Sequence, residues 1–284
     1  MRPVVIPLLE RLGRRELRRR GVASRRVRTP HAELHAYDAA GTGSSPPIVL
    51  LHGIAASATS FGPVLGMLRE SSERVLAIDY PGHGFSRDAE AKLSFDVLFG
   101  EVAHALDVLL DRPALLVGNS LGGAVALTYA LRRPERVRGL VLVSPAGARA
   151  SDDEWAQIRA SFDLRTRAEA RAFIARLYHR APRLAPLIAG ELPRLMQRRA
   201  IRELLETASN DHVPTPEQLA SLRPPILLVW GKSEKILPGT LLDYFTRHLP
   251  RHTVVEQPED FAHCPHFEAP REVARRIAEF AQAI

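Results

Sequence analysis

Nineteen consecutive residues, 113–131, carry no charge and enclose the segment Gly118-Asn119-Ser120-Leu121-Gly122-Gly123. The stretch is long enough to suggest a membrane span, but its glycines, asparagine and serine fall where a spanning helix would be interrupted. Its flanks read instead as a buried strand, Ala114 to Val117, and a buried helix, Ala124 to Leu131. The turn between them must be sharp, which forces Ser120 into a strained backbone conformation and leaves its hydroxyl exposed. Glycine two residues to either side permits the close chain approach such a turn requires. The helix start also presents N–H groups and a positive dipole end beside that hydroxyl. Strand, turn and helix in this order are the setting of a serine nucleophile.

Other short apolar runs alternate with helix-length segments on both sides. Ile48–Leu51, Val75–Ile78, Leu140–Val143, Ile226–Trp230 and Thr253–Val255 are continuous rather than alternating, as expected for strands covered on both faces. Helices are expected at about 60–70, 94–110, 121–133, 238–248 and 270–282. Val27 to Tyr37 reads as an antiparallel lead-in pair. The pattern predicts an α/β fold with a mostly parallel central sheet flanked by helices. It breaks between Val143 and Ile226, where amphipathic helical spacing is punctuated by prolines at 182, 186, 193, 214 and 216. The expected division is a basic helical arm over 1–24, a core over 25–150, an inserted helical cap over 151–222, and the rest of the core over 223–284.

The formal net charge of +7 is unevenly placed. Residues 1–28 hold ten arginines and two glutamates, while the other 256 residues hold 29 basic and 30 acidic groups. The body is therefore neutral and offers nucleic acid no groove of matching charge. A helix over 4–20 would carry Val5, Leu8 or Leu9, and Leu12 on one side and arginines over much of the rest. Such a helix can lie on an anionic membrane surface or pack its apolar stripe on the domain, and both remain open. The six-residue apolar stretch Val4–Leu9 lacks the features of a secretory signal. With the single cysteine, Cys264, this points to a cytoplasmic protein, with peripheral membrane contact through the arm as the variant.

The segments around these elements resemble the α/β-hydrolase superfamily of serine esterases and lipases, over roughly residues 25–284. Gly118-Asn119-Ser120-Leu121-Gly122 matches the nucleophile turn, and Leu51-His52-Gly53-Ile54 follows the third strand. The resemblance implies an oxyanion hole made by the backbone N–H groups of Ile54 and Leu121. Asp79 to Ser86 resembles a structural loop, and His52 and His83 are assigned no catalytic role. Trp230 to Pro238 resembles the segment of the triad acid, with Glu234 where most members have aspartate. Asp260 is the rival acid, and Ser144 leaves another acid position of the family without a carboxylate. Phe261 to Pro270 resembles the histidine segment, with Ala262 replacing a glycine. His263 is then the base, while His266 packs and Cys264 is no nucleophile. The spacing of His263, Cys264 and His266 fits no common zinc pattern.

Ser120, Glu234 and His263 stand in the chain order nucleophile, acid, base. The implied reaction is hydrolysis of a small carboxylic ester through an acyl-enzyme, without cofactor or metal. Carbon–carbon bond hydrolysis of ring-cleavage products is the alternative, since Gly118 to Gly123 and Ser144 to Gly147 resemble those enzymes as well. Lactonase and peracid-forming chemistry use the same triad. A low-turnover small-molecule binding protein on this fold is a further reading, resting on the substitutions at 234 and 262.

Overall fold

The computed structural model describes residues 4–183 and 185–284. In chain order its elements begin with α1 (Val5–Arg19), β1 (Ala23–Arg28), β2 (Glu33–Ala40), β3 (Ile48–Leu51), α2 (Gly62–Leu68) and β4 (Arg74–Ile78). They continue with α3 (Phe95–Leu109), β5 (Ala114–Asn119), α4 (Leu121–Arg132) and β6 (Val137–Val143). Six helices follow before the sheet resumes: α5 (Asp152–Phe162), α6 (Arg167–Leu177), α7 (Ala185–Ile188), α8 (Leu192–Met196), α9 (Arg199–Thr207) and α10 (Pro216–Ala220). The chain closes with β7 (Ile226–Val229), α11 (Gly239–His248), β8 (Val254–Glu256), α12 (Pro265–Glu268) and α13 (Pro270–Gln282).

The apolar runs form one eight-stranded sheet in the order β1-β2-β4-β3-β5-β6-β7-β8. Strand β2 pairs antiparallel with β1 and β4, and all other neighbours are parallel. The pleat sends alternate residues to opposite faces. Val49, Leu116, Leu142 and Leu228 join the core beneath α3, α4 and α11, while Leu50, Val117, Val143 and Val229 join the core beneath α1, α2 and α13. Strands β3, β5 and β7 are buried throughout, which is why they read as unbroken apolar runs. The run ending at Val255 departs from that expectation. Strand β8 is the sheet edge, and Val254 is 52% exposed.

Helix α1 follows the predicted range, but of the expected stripe of Val5, Leu8 or Leu9, and Leu12, it is Leu9 that turns inward. Leu17 is buried against α2, while Leu8 and Leu12 stay exposed. Gly13 rests on Thr59, and a Cβ there would stand 2.5 Å from the Thr59 methyl, so a larger residue would lift the helix away. The N–H groups of Val4, Val5 and Ile6 donate to the carboxylate of Glu191, just before α8, at 2.5, 2.7 and 2.9 Å. A carboxylate is the natural partner for the free donors at a helix start. Burial pushes the Glu191 pKa up, but these donors hold it below the ordinary carboxylate range.

The middle of α1 is tied to the sheet by a polar relay. Arg14 Nη2 donates to Ser24 Oγ at 2.9 Å, Ser24 Oγ meets His35 Nε2 at 2.7 Å, and His35 Nδ1 meets Asp79 Oδ2 at 2.7 Å. Asp79 also accepts from Ala58 N at 2.7 Å and Phe85 N at 3.0 Å. One buried carboxylate thus anchors the loop after β3 and the loop after β4. Among the described residues, no helix is long and apolar enough to cross a membrane.

Candidate active site

Strand β5 ends in a turn that only this sequence pattern permits. Ser120 has φ 54° and ψ −119°, a left-handed conformation that costs a residue with a side chain about 1–3 kcal/mol. A Cβ on Gly118 would lie 2.3 Å from the Gly122 carbonyl oxygen, and one on Gly122 would lie 2.0 Å from that of Leu51. Neither contact is physical, so both positions require glycine. The strained turn is held by Ser120 N donating to Val143 O at 3.2 Å, and by Gly123 N and Ala146 N donating to Ser120 O at 2.8 and 2.9 Å. Among the described residues, Ile54 N and Leu121 N donate to no protein acceptor, which leaves them free for a ligand.

Glu234 and His263 come from the loops after β7 and β8, at the same end of the sheet as Ser120. Crevices outside the carboxyl ends of parallel strands are where ligands bind in such sheets. Glu234 Oε1 accepts from Ile236 N at 2.6 Å and Leu237 N at 3.0 Å, and its Oε2 meets His263 Nδ1 at 2.8 Å. Burial pushes the Glu234 carboxyl up, but the His263 ring and the Leu237 N–H outweigh it and hold the pKa below the ordinary value. An ionised carboxylate only accepts, so Nδ1 carries the proton and Nε2 is left as the basic nitrogen. Ser120 and His263 line one cavity, and the hydrogen bond of the His263 ring goes to Glu234 and not to Ser120. In sites without substrate the contact between serine and histidine is often long and tightens during the reaction.

Asp260 is elsewhere. Its side chain is 80% exposed and pairs with His179 Nε2 at 3.5 Å. Ser144, at the end of β6, is fully buried with φ 40°. His52 is held by Gly53 O and the Tyr80 N–H, and His83 by Pro81 O. His266 stacks on Phe61 with ring centres 4.5 Å apart, and burial pushes its pKa down to about 3. Burial pushes the Cys264 thiol above its ordinary value, which disfavours the thiolate that a nucleophile needs.

Two contributions were not foreseen from the sequence. Asn119 Nδ2 donates to Val143 O at 3.1 Å and to His263 O at 2.8 Å, so the residue beside the nucleophile also positions the histidine loop. The second is α1. Ser120 and His263 open into an apolar cavity of about 360 Å³, walled on one side by Phe162, Phe173, Leu177 and Met196 of the inserted helices. Ile6, Leu9, Glu10 and Gly13 of α1 complete the wall. Glu10 is the one acidic residue among the described lining residues, which include no lysine or arginine. Burial, with the Asp79 charge adding, pushes its pKa up. Ile6, Leu9 and Gly13 share the side of α1 opposite Arg11, Arg15 and Arg19, but nothing in that spacing says what the side meets.

The model of a family described as the alpha/beta hydrolase family matches residues 48–276. A pimeloyl-[acyl-carrier protein] methyl ester esterase of Nitrosomonas europaea is 31% identical over 79% of this chain and 90% of its own length. A 2-hydroxymuconate semialdehyde hydrolase of Pseudomonas sp. is 30% identical over 72% of this chain and 78% of its own. Among solved structures, a membrane phospholipase A described as a bacterial virulence factor superposes with a TM-score of 0.81 at 24% identity, covering 98% of this chain and 92% of that one. That last likeness is one of fold.

Proposed function

The chain belongs to the alpha/beta hydrolase family, and on that premise we propose that it cleaves carboxylic esters whose acyl group is held in the apolar cavity. The observation that carries this reading is the joining of Ser120 to the Glu234-paired His263 by a cavity with apolar walls. In the proposed reaction Ser120 Oγ attacks the ester carbonyl while His263 Nε2 takes its proton. Ile54 N and Leu121 N donate to the oxygen as it becomes negative. His263 then returns the proton to the departing alcohol, leaving an acyl-enzyme. Water, activated by the same nitrogen, releases the acid. Glu234 holds the ring in the required tautomer and stabilises its cation.

The test is turnover of p-nitrophenyl acetate, butyrate, octanoate and palmitate. From acetate upward, each methylene that enters the cavity should raise kcat/KM by up to about fourfold, from ~0.8 kcal/mol per buried CH₂. The series should then fall once the chain outgrows the cavity. A folded protein that hydrolyses none of the four contradicts the proposal.

Carbon–carbon bond hydrolysis is the second reading, favoured by the 30% identity to the hydroxymuconate semialdehyde hydrolase. A muconate carries a carboxylate, and the described cavity lining offers it Glu10 and no cation. The charge at Glu10 should discriminate against acyl groups with an anionic end. Glu10→Gln is expected to raise kcat/KM for p-nitrophenyl hemisuccinate about tenfold relative to p-nitrophenyl butyrate. Because the Glu10 pKa is raised, the wild-type discrimination should strengthen as pH rises and the carboxyl ionises. A selectivity ratio unchanged by Glu10→Gln at all pH values would remove this role.

A further inference from the structure

Helix α1 has two working faces. Ile6, Leu9, Glu10 and Gly13 turn toward the cavity. Val4, Leu8 and Leu12, spaced one helical turn apart, remain 60%, 50% and 51% exposed. Arg11, Arg15, Arg18 and Arg19 are exposed too, and they form no ion pair among the described residues. At 100° per residue, Arg11, Arg15 and Arg19 fall on the same side as the three apolar residues. Leu187 of α7, which packs beside α1, is 55% exposed. Phe267, half exposed as well, lines the cavity.

We propose that this outward face docks the protein onto an anionic phospholipid bilayer, with the leucines in the acyl boundary and the arginines among the headgroups. Both parts of the face fit that partner. Arginines alone would suit any polyanion, but nucleic acid would leave the leucines in water. A second copy of the chain could cover the leucines, but pairing these faces would set unpaired arginines against each other. An anionic lipid surface offers apolar contact and negative charge side by side over the whole length of the helix. Outside residues 1–28 the chain is close to neutral, so the attraction is concentrated on this helix and the strand that follows it, which orients the molecule. Docked in this way, α1 separates the bilayer from the cavity by the thickness of one helix.

Deleting the arm is a poor test, because it would remove a cavity wall and the buried Leu17. The informative variants are the exposed pairs Leu8→Gln with Leu12→Gln, and Arg11→Gln with Arg15→Gln, none of which lines the cavity. The full-length protein is sedimented at low salt with vesicles of phosphatidylcholine alone, or of phosphatidylcholine mixed with phosphatidylglycerol. Folding is checked by circular dichroism, and binding is read independently of any ester turnover. Wild type should partition onto the mixed vesicles and not onto phosphatidylcholine. The leucine pair should weaken that partitioning at least about tenfold, and the arginine pair about twenty-five-fold, at roughly fivefold per arginine. Wild type that stays in the supernatant with both vesicles overturns the proposal. So does a leucine pair that binds as well as wild type, which would mean adsorption by charge alone. A dimer that the leucine pair dissolves, without vesicle binding, would assign the face to a second copy instead.

Discussion

Ser120→Ala is expected to lower kcat for p-nitrophenyl butyrate by at least about 10⁴-fold while leaving the fold intact. The loss is large because the proposed reaction passes through a covalent bond to Oγ, and no neighbouring side chain can replace it. Cys264, which also lines the cavity, has its pKa pushed up by burial, which disfavours the thiolate. Stability should not fall with activity. The Ser120 hydroxyl makes no hydrogen bond to the protein among the described residues, and the strain at φ 54° is set by the turn rather than by the side chain. The unfolding midpoint of the variant should therefore equal that of wild type or lie slightly above it. The measurement is a paired one, steady-state turnover and thermal unfolding on the same preparation. Full activity in the variant would assign the hydrolysis to another group and remove the proposed mechanism.

Glu234→Gln should be nearly as damaging, with an expected fall in kcat of about 10⁴-fold. The reason lies in how the carboxylate is held. Oε1 is fixed by the N–H groups of Ile236 and Leu237, which only an oxygen can satisfy, so the new amide nitrogen must take the place of Oε2 beside His263. There it donates to Nδ1, which drives the imidazole proton to Nε2 and leaves the ring unable to accept from Ser120. Glu234→Asp keeps the charge but is one methylene shorter, so it can keep the backbone donors or the ring at full strength, not both. Its loss should be smaller, about ten- to a hundredfold. The pH dependence of stability has a definite sign. Because the folded carboxyl pKa is depressed, its contribution is complete above the ordinary carboxylate value and disappears as pH falls through the folded one. Urea unfolding of wild type should weaken over that acidic interval more steeply than that of Glu234→Gln. A glutamine variant within tenfold of wild-type turnover would exclude Glu234 as the triad acid.

The central sheet was legible because its strands are covered on both faces. Burial on both sides leaves no polar alternation, so runs such as Ile48–Leu51 and Ile226–Val229 stand out from the chain. The same reasoning misread the run ending at Val255, since an edge strand rich in valine looks identical until its missing neighbour is known. The turn at Ser120 was legible for a steric reason, because Gly118 and Gly122 leave no room for another residue. The proximity of Glu234 and His263 was suggested by the resemblance of their segments. Their 2.8 Å contact depends on two loops that meet only when β7 and β8 pair.

Helix α1 marks where local information ends. Its sequence determines a helix, an excess of arginine and an amphipathic pattern, because propensity and periodicity act over a few neighbouring residues. Whether a given face meets the core or solvent depends on what lies across from it, and here that surface comes from Thr59, Glu191 and the helices after β6. The tertiary structure alone therefore decided that Glu10 faces the cavity and that Leu8 and Leu12 do not. Contacts across more than a hundred residues of chain leave no periodic trace in either partner, whereas strands, helices and a turn demanding two glycines are written in consecutive positions.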